Sequence, residues 1–484
     1  MDVLRFLVVK QLVWVRIFLE ECKMSPIYRG SNQFLPDLMM SLPRSRAAAL
    51  KVEPETQAEL PLSRAGRWDA LPSTKIKRPK RGDPFAWAYT YTSYSVDFAI
   101  QALLRLGASK KTLVLDPFVG SGTTLLACSL IGCSGLGIDI SPFSLLLSRT
   151  RTAWRPDERL VSKYLKANPS LDNQNASATH ILSARDASYV NGVIRAMCKY
   201  QAIRPDALWC KLLNDTKGHF DSEAVTLLSL TLGARTSAHV EKGSNPIWYK
   251  KIAEASATSE SSLRDATIAC ARSICRDLLG ASEGFRKNIR MQQHDFVTLN
   301  STRLYDLCLT SPPYINRLDY VVAHLPELSV LQHLVPFNLD QLRNGMIGTT
   351  KIVQKYTSTA APEWGELCKQ TLENIYNHSS YASRRYYYHI HTDYFRRLSE
   401  ATFSLARVMQ RRSEGILVLQ DSFYKDLKIQ TPQICLEMLN NAGFSATIVR
   451  TTVVKAHMGR LSPAQTLYAP QKTLGESVIY FERS

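Results

Sequence analysis

The segment Thr112-Leu-Val-Leu-Asp-Pro-Phe-Val-Gly-Ser-Gly-Thr-Thr124 decides the fold, because it joins an apolar run to a glycine-rich loop. The run Thr112 to Leu115 predicts a buried strand, and the apolar stretch Leu125 to Ile131 after the loop predicts a helix. A strand, a glycine turn and a helix in this order are typical of the nucleotide-binding crevice of a parallel sheet.

Further apolar runs predict the rest of this sheet. Strands are expected near Gly135 to Ile138, Tyr305 to Leu309 and Ile416 to Gln420, alternating with helical patterns. Ala446 to Val454 and Ser477 to Phe481 are rich in β-branched and aromatic residues and predict an antiparallel pair that closes the sheet. The fold class is therefore α/β and Rossmann-like, with helices on both faces.

Composition indicates a basic globular protein. Of the 484 residues 45% are apolar, and 60 Lys and Arg against 42 Asp and Glu give a net charge of +18. Such charge suits a polyanionic partner contacted through its phosphates. The ten cysteines form no Cys-x-x-Cys pair and no metal-ligand cluster with histidine, which favours a reduced intracellular protein without structural zinc.

The chain is expected to divide into four segments. Met1 to Leu19 reads as a short amphipathic helix, or as an upstream extension if Met24 is the natural start. Helical patterns at Glu223 to Leu232 and Leu263 to Leu279 interrupt the strand alternation and mark an insertion. The predicted segments are a basic, partly disordered arm (1–82), the first part of the sheet domain (83–150), a mostly helical insertion (151–285) and the second part of the sheet domain (286–484).

The glycine loop favours a particular kind of ligand. Gly120 and Gly122 allow the backbone to approach it closely, and the helix that follows offers free N–H groups. A Walker lysine is absent, which disfavours a nucleoside triphosphate. A ligand with a carboxylate, an amine and a nucleoside fits better, with Asp116 accepting from the ammonium or from a bound water. S-adenosyl-L-methionine is such a ligand.

Other cofactor contacts are expected around the same edge. Asp139, at the end of the second strand, is placed to hold the ribose hydroxyls, although it could instead cap a helix. Asp295 would reach the adenine amino group from the end of the third strand. An aromatic run before the first strand would lie near the cofactor or simply pack helices. The remaining predicted cofactor-binding residues are Tyr91 from that run and Phe118, Ser121 and Thr123 from the loop.

A second loop, Thr310-Ser-Pro-Pro-Tyr314, follows the strand near Tyr305 to Leu309 and suits chemistry on an exocyclic amine of a base. Such an amine is a poor nucleophile because its lone pair is delocalised into the ring. The Ser311 hydroxyl and the Pro312 carbonyl can accept its two hydrogens, Pro312 and Pro313 stiffen the loop, and Tyr314 can stack on a flipped base. Taken alone, the loop could be an ordinary proline-rich turn.

The two loops together resemble the motifs of the DNA amino-methyltransferases, most closely the cytosine-N4 branch. In that family Ser-Pro-Pro-Tyr tends to mark cytosine, and Asp- or Asn-Pro-Pro-Tyr marks adenine. The resemblance covers about residues 84–140 and 288–484 and implies a seven-stranded sheet with a reversed last hairpin. Here the cofactor loop precedes the catalytic loop and a long insertion separates the second and third strands, so the insertion or the stretch Leu318 to Tyr388 could read DNA.

Several alternatives remain open. Carbon-5 methylation of cytosine is disfavoured because the chain has no Pro-Cys dipeptide. Adenine-N6 methylation is the nearest alternative, because it needs the same two acceptors. RNA base methyltransferases share the sheet but usually carry recognisable RNA-binding modules, which are not evident in this sequence. A non-catalytic DNA-binding protein with a decayed pocket is also an alternative, against which the intact glycines and the intact Ser-Pro-Pro-Tyr argue. The expected partners are double-stranded DNA and a separate restriction or defence protein, with no membrane partner and a cytoplasmic location.

Overall fold

A computed structural model of the chain describes residues 66–75, 83–88, 93–154, 156–168, 182–215, 219–237, 263–279, 289–315, 319–356, 361–454 and 473–484. The predicted leader helix, most of the predicted basic arm and Tyr91 lie outside the described residues. Within those residues no helix is both long enough and apolar enough to cross a membrane.

A seven-stranded sheet forms the centre of the protein, as the sequence and the resemblance predict. Its strand order is β3-β2-β1-β4-β5-β9-β8, with β1 to β5 parallel and β9 antiparallel to both of its neighbours. A separate two-stranded hairpin, β6–β7, is not expected from the sequence. The strands are β1 Leu113–Asp116, β2 Ser134–Asp139, β3 Ile289–Gln293, β4 Tyr305–Thr310, β5 Met409–Gln420, β6 Ser422–Tyr424, β7 Leu427–Ile429, β8 Phe444–Val454 and β9 Leu474–Arg483.

Helices surround the sheet, and the described part of the insertion is helical, as predicted. The helices are α1 Val96–Arg105, α2 Thr123–Ile131, α3 Pro142–Arg151, α4 Glu158–Leu165, α5 Ala184–Gln201, α6 Pro205–Asn214, α7 Asp221–Ser237, α8 Leu263–Leu279, α9 Tyr320–Ala323, α10 Leu325–Leu331, α11 Leu339–Asn344, α12 Glu366–Asn377, α13 Tyr388–Val408 and α14 Thr431–Asn441. A π-helix, Ser383–Tyr387, leads directly into α13.

The core lies on both faces of the sheet because successive strand residues point to opposite sides. Val114 belongs to one hydrophobic cluster and Leu115 to the other, and Leu309 and Cys308 divide in the same way. Leu227 of the insertion belongs to the same cluster as Val114. The insertion helices therefore share the hydrophobic core of one face of the sheet.

Residues 66–75 correct the predicted extent of the N-terminal arm. Trp68 is 5% exposed, and its ring lies 5.2 Å from that of Tyr480 in β9. Arg67 pairs with Glu414 of β5 at 2.8 Å. These residues pack against the sheet, so the ordered part of the chain begins before residue 83, within the predicted arm.

Candidate active site

The two loops meet at the centre of the sheet. β1 and β4 are neighbours, with Leu115 opposite Cys308, and the strand order runs outward from this pair in both directions. A parallel sheet opens a crevice at such a point, beyond the carboxyl ends of its strands. The glycine loop after β1 and the Ser-Pro-Pro-Tyr loop after β4 therefore share one cleft.

Asp116 ties the two loops together from below the cleft. Its carboxylate accepts hydrogen bonds from the Thr124 hydroxyl at 2.5 Å, the Thr310 hydroxyl at 2.7 Å and the Phe118 N–H at 3.2 Å. Burial raises its pKa to about 6, although these hydrogen bonds oppose the shift. Asp116 is not among the residues that line the cleft. Its observed contacts position the loops, whereas a contact with the ligand ammonium remains a prediction.

The glycine loop needs glycine where it turns into α2. Gly122 has a φ of +84°, and a Cβ there would lie 2.8 Å from the Cα of Ser148 in α3. Gly120 has a φ of +46° and lines the cleft. A side chain at Gly122 would strain the backbone and push α3 away. The Ser93 hydroxyl lies 3.2 Å from that of Ser121 and 2.8 Å from that of Thr123, which fixes the rest of the loop.

Asp139 stands at the end of β2 and faces the cleft. One carboxylate oxygen accepts from the Gly120 N–H at 3.0 Å and the other from the Ser141 N–H at 2.9 Å. Ser141, not Asp139, provides the side-chain cap of α3. Burial raises the pKa of Asp139 to about 6. Each oxygen keeps a further lone pair, so the carboxylate can still accept from a diol.

Asp295 lies two residues beyond β3 and also lines the cleft. It caps the short turn Phe296–Thr298 and pairs with Arg397 of α13 at 2.7 Å. The same Arg397 nitrogen donates to the Gly345 carbonyl at 2.7 Å. One guanidinium thus connects a predicted cofactor residue to the opposite wall of the cleft.

The cleft has a cavity volume of about 130 Å³ and two walls. Of the predicted site residues, seven line it: Phe118, Gly120, Ser121, Asp139, Asp295, Ser311 and Pro313. Five described ones do not: Asp116, Gly122, Thr123, Pro312 and Tyr314.

The second wall, between Tyr320 and Ile347, was missed by sequence reasoning. It contains His324, whose pKa burial lowers to about 3, so that this imidazole is neutral at physiological pH. Asp319 is fully buried and holds the wall by pairing with Arg343 at 2.5 Å. The sequence of this stretch has no regular pattern, and only its position directly after the catalytic loop pointed to a role in the site.

The Ser-Pro-Pro-Tyr loop is held by tyrosines. The Tyr394 hydroxyl donates a hydrogen bond to the Pro313 carbonyl at 3.0 Å. The Pro312 carbonyl does not take part in that bond. The Ser311 hydroxyl donates to the Tyr314 oxygen at 3.5 Å. Tyr314 is 8% exposed, and burial raises the pKa of its phenol well above 10. Its ring packs in the core, so stacking on a base remains a prediction that would need the ring to turn outward.

S-adenosylmethionine fits this cleft. Phe118 and Phe296 make an edge-to-face pair at 6.0 Å on an apolar side suited to a purine, and the carboxylates of Asp139 and Asp295 stand beside it. Gly120 leaves the loop backbone open to the amino-acid end of such a ligand. Aromatic and apolar walls with a few convergent polar groups are the usual composition of a cofactor site.

Known proteins match these regions. A family model described as DNA methylase (N6/N4 methyltransferase) matches residues 92–148. The Type II methyltransferase M.MjaII of Methanocaldococcus jannaschii is 49% identical over 112 residues, covering 23% of this chain and 20% of that protein. The Type II methyltransferase M.AvaI of a Nostoc species is 23% identical over 302 residues, 58% of this chain and 60% of that protein.

A solved structure, the rRNA methyltransferase aviRa from Streptomyces viridochromogenes, is 10% identical over 81% of this chain and 87% of its own, with a TM-score of 0.27. That overlap is too low to support any argument. The chain spans about a fifth of the length of M.MjaII and about three fifths of the length of M.AvaI. These matches do not separate cytosine-N4 from adenine-N6 enzymes. The family implies S-adenosylmethionine as methyl donor. The two loops, the sheet and these matches together support a DNA amino-methyltransferase.

Proposed function

We propose that the protein transfers a methyl group to the exocyclic N4 amine of a cytosine flipped out of double-stranded DNA. The observation that carries this proposal is the position of Ser311, which lines the same cleft as Gly120, Asp139 and Asp295. Direct methyl transfer requires a hydrogen-bond acceptor for the substrate amine and a cofactor site in the same cleft. S-adenosylmethionine would supply the electrophilic methyl group.

Ser311 has the role of localising the amine lone pair. Its hydroxyl oxygen lies 3.5 Å from that of Tyr314 and carries two lone pairs, which can accept from a substrate N–H. The Pro312 carbonyl would accept the second hydrogen, while Tyr394 holds the neighbouring Pro313 carbonyl in place. Two acceptors would draw the nitrogen toward tetrahedral geometry for direct attack on the methyl group, without an enzyme nucleophile. The methyl–sulfur bond would break, S-adenosylhomocysteine would leave, and the nitrogen would lose one proton to solvent.

Cytosine is proposed over adenine because the loop carries serine before its two prolines, as the cytosine-N4 branch tends to do. The adenine N6 amine presents the same two hydrogens, so an adenine-specific enzyme is the alternative, to be separated by analysis of the product. The relatives are named Type II methyltransferases, and by analogy we propose a role in restriction-modification inside the cell, beside a separate nuclease.

The test is single-turnover transfer of a labelled methyl group into duplex DNA by wild type and Ser311→Ala. Loss of one hydrogen bond made in the transition state should slow transfer by about ten- to one-hundred-fold, with cofactor affinity unchanged. Ser301→Ala, in the segment before β4 at the other edge of the sheet, is the matched control and should behave as wild type. Wild-type transfer by Ser311→Ala would overturn the assignment.

A further inference from the structure

A surface outside the cleft has the properties of a phosphate-binding site. It consists of Tyr376, Tyr381, Arg384 and Arg385, which we call the basic tyrosine patch. Tyr381 is 78% exposed and Tyr376 is 42% exposed, so both side chains are accessible to a partner. Both arginines are exposed as well.

The aromatic rings hold the two guanidinium groups. Arg384 lies 4.7 Å from the centre of the Tyr376 ring, and Arg385 lies 4.4 Å from that of Tyr381 and also donates to its hydroxyl. Stacking of this kind fixes a flexible side chain before a partner arrives and lowers the entropic cost of binding.

The charge of the patch is positive and uncompensated locally. Residues 374–392 contain no aspartate or glutamate. In the part of the chain that the structure describes, neither Arg384 nor Arg385 forms an ion pair, and the nearby Asp426 pairs with His378 instead. Arginine in a fixed orientation is well suited to phosphate oxygens.

The patch is joined to the catalytic loop by continuous structure. Arg384 and Arg385 lie in the π-helix that runs into α13, and Tyr394 of α13 donates to the Pro313 carbonyl. Tyr394 follows Arg385 by nine positions, which is roughly 13 Å along a helix at 1.5 Å per residue. The β6–β7 hairpin provides a second link, because Ser422 donates to the Ile315 carbonyl at 2.6 Å.

We propose that the basic tyrosine patch binds the phosphate backbone of duplex DNA beside the flipped base. This inference rests on the proposed function and adds the place where the flanking duplex lies. The patch therefore positions the duplex without reading its sequence.

The experiment measures how duplex affinity depends on salt, using a duplex of about 30 base pairs, long enough to reach both the cleft and the patch. Each neutralised phosphate contributes about 0.9 to the slope of log K against log salt, so Arg384→Gln/Arg385→Gln should lower the slope by about 1 to 2. Arg384→Lys/Arg385→Lys keeps the charge and should retain most of the slope.

The matched control is Arg411→Gln/Arg412→Gln, which removes two exposed charges near the start of β5, at the opposite edge of the sheet. It should leave the slope unchanged, and S-adenosylmethionine affinity should be the same in all variants. A wild-type slope in the Arg384 and Arg385 variant, or an equal loss in the control, would overturn the inference. If wild type neither binds nor methylates duplex DNA, the proposed function fails. If wild type does both but the Arg384 and Arg385 variant keeps the wild-type slope, only the assignment of the patch fails.

Discussion

Replacing Asp139 by asparagine should weaken cofactor binding in a predictable way. The carboxylate already accepts from the N–H groups of Gly120 and Ser141, one on each oxygen. Asparagine keeps the size of the side chain but turns one acceptor into a donor that faces an N–H. A hydrogen bond to a charged acceptor is worth about 1.5–3 kcal/mol, so the dissociation constant for S-adenosylmethionine should rise about ten- to one-hundred-fold.

The pKa of Asp139 adds a second signature. Burial raises it to about 6, and the ionised form is the one that accepts two hydroxyls. At about pH 5 only roughly a tenth of the carboxylate is ionised, so wild-type affinity should fall about ten-fold from pH 7 to pH 5. Asp139→Asn has no such proton to gain, and its affinity should change little over that range.

Isothermal titration calorimetry at several pH values measures both effects. Asp97→Asn, which alters an exposed carboxylate on α1, is the control and should match wild type throughout. An unchanged dissociation constant in Asp139→Asn would remove this residue from the cofactor site. A variant that is weaker at neutral pH but still loses affinity in acid would assign the titration to another group.

Three further predictions concern stability. Gly122→Ala should lower the free energy of unfolding by about 2–4 kcal/mol in chemical denaturation, since it combines a positive φ with a Cβ 2.8 Å from the Cα of Ser148. The control is Gly443→Ala, with a φ of +88° and no atom within 4 Å of its Cβ, which should lower it by only about 1–2 kcal/mol. Equal losses in the two variants would contradict the packing argument. Asp116 has a raised pKa of about 6, so its contribution to stability is greatest below about pH 4 and is lost as the pH rises through 6. Asp116→Asn should remove about 3 kcal/mol of the pH dependence of the free energy of unfolding. An unchanged pH profile in this variant would contradict the raised pKa. Trp68→Ala should cost about 3–5 kcal/mol by thermal or chemical unfolding if residues 66–75 belong to the core, whereas a wild-type value would return them to the arm.

The sheet was predictable because its signals are local. Apolar runs at β1, β2 and β4, each followed by turn residues, determine a parallel sheet, and the glycine loop marks where the strand order reverses. The start of β5 was not predictable, because Gln410 to Arg412 are polar and exposed, and the strand reaches Met409 by pairing with Tyr305 of β4.

Individual roles in the site were harder to predict because they depend on contacts distant in sequence. The burial of Asp116 beneath the cleft follows from a hydrogen bond with Thr310, which lies 194 residues away. Arg397 meets Asp295 across 102 residues, and no pattern around either residue announces the pair. The packed position of Tyr314 likewise comes from the tertiary core, whereas its motif predicts only a stacking aromatic.

The most direct test of the central claim is the identity of the methylated base. Duplex DNA treated with the protein and isotopically labelled S-adenosylmethionine is digested to nucleosides and analysed by mass spectrometry. We expect labelled N4-methylcytosine from wild type and a strongly reduced amount from Ser311→Ala. Labelled N6-methyladenine in its place would contradict the choice of cytosine, and the absence of label from DNA under conditions where the cofactor binds would contradict the proposed methyl transfer itself.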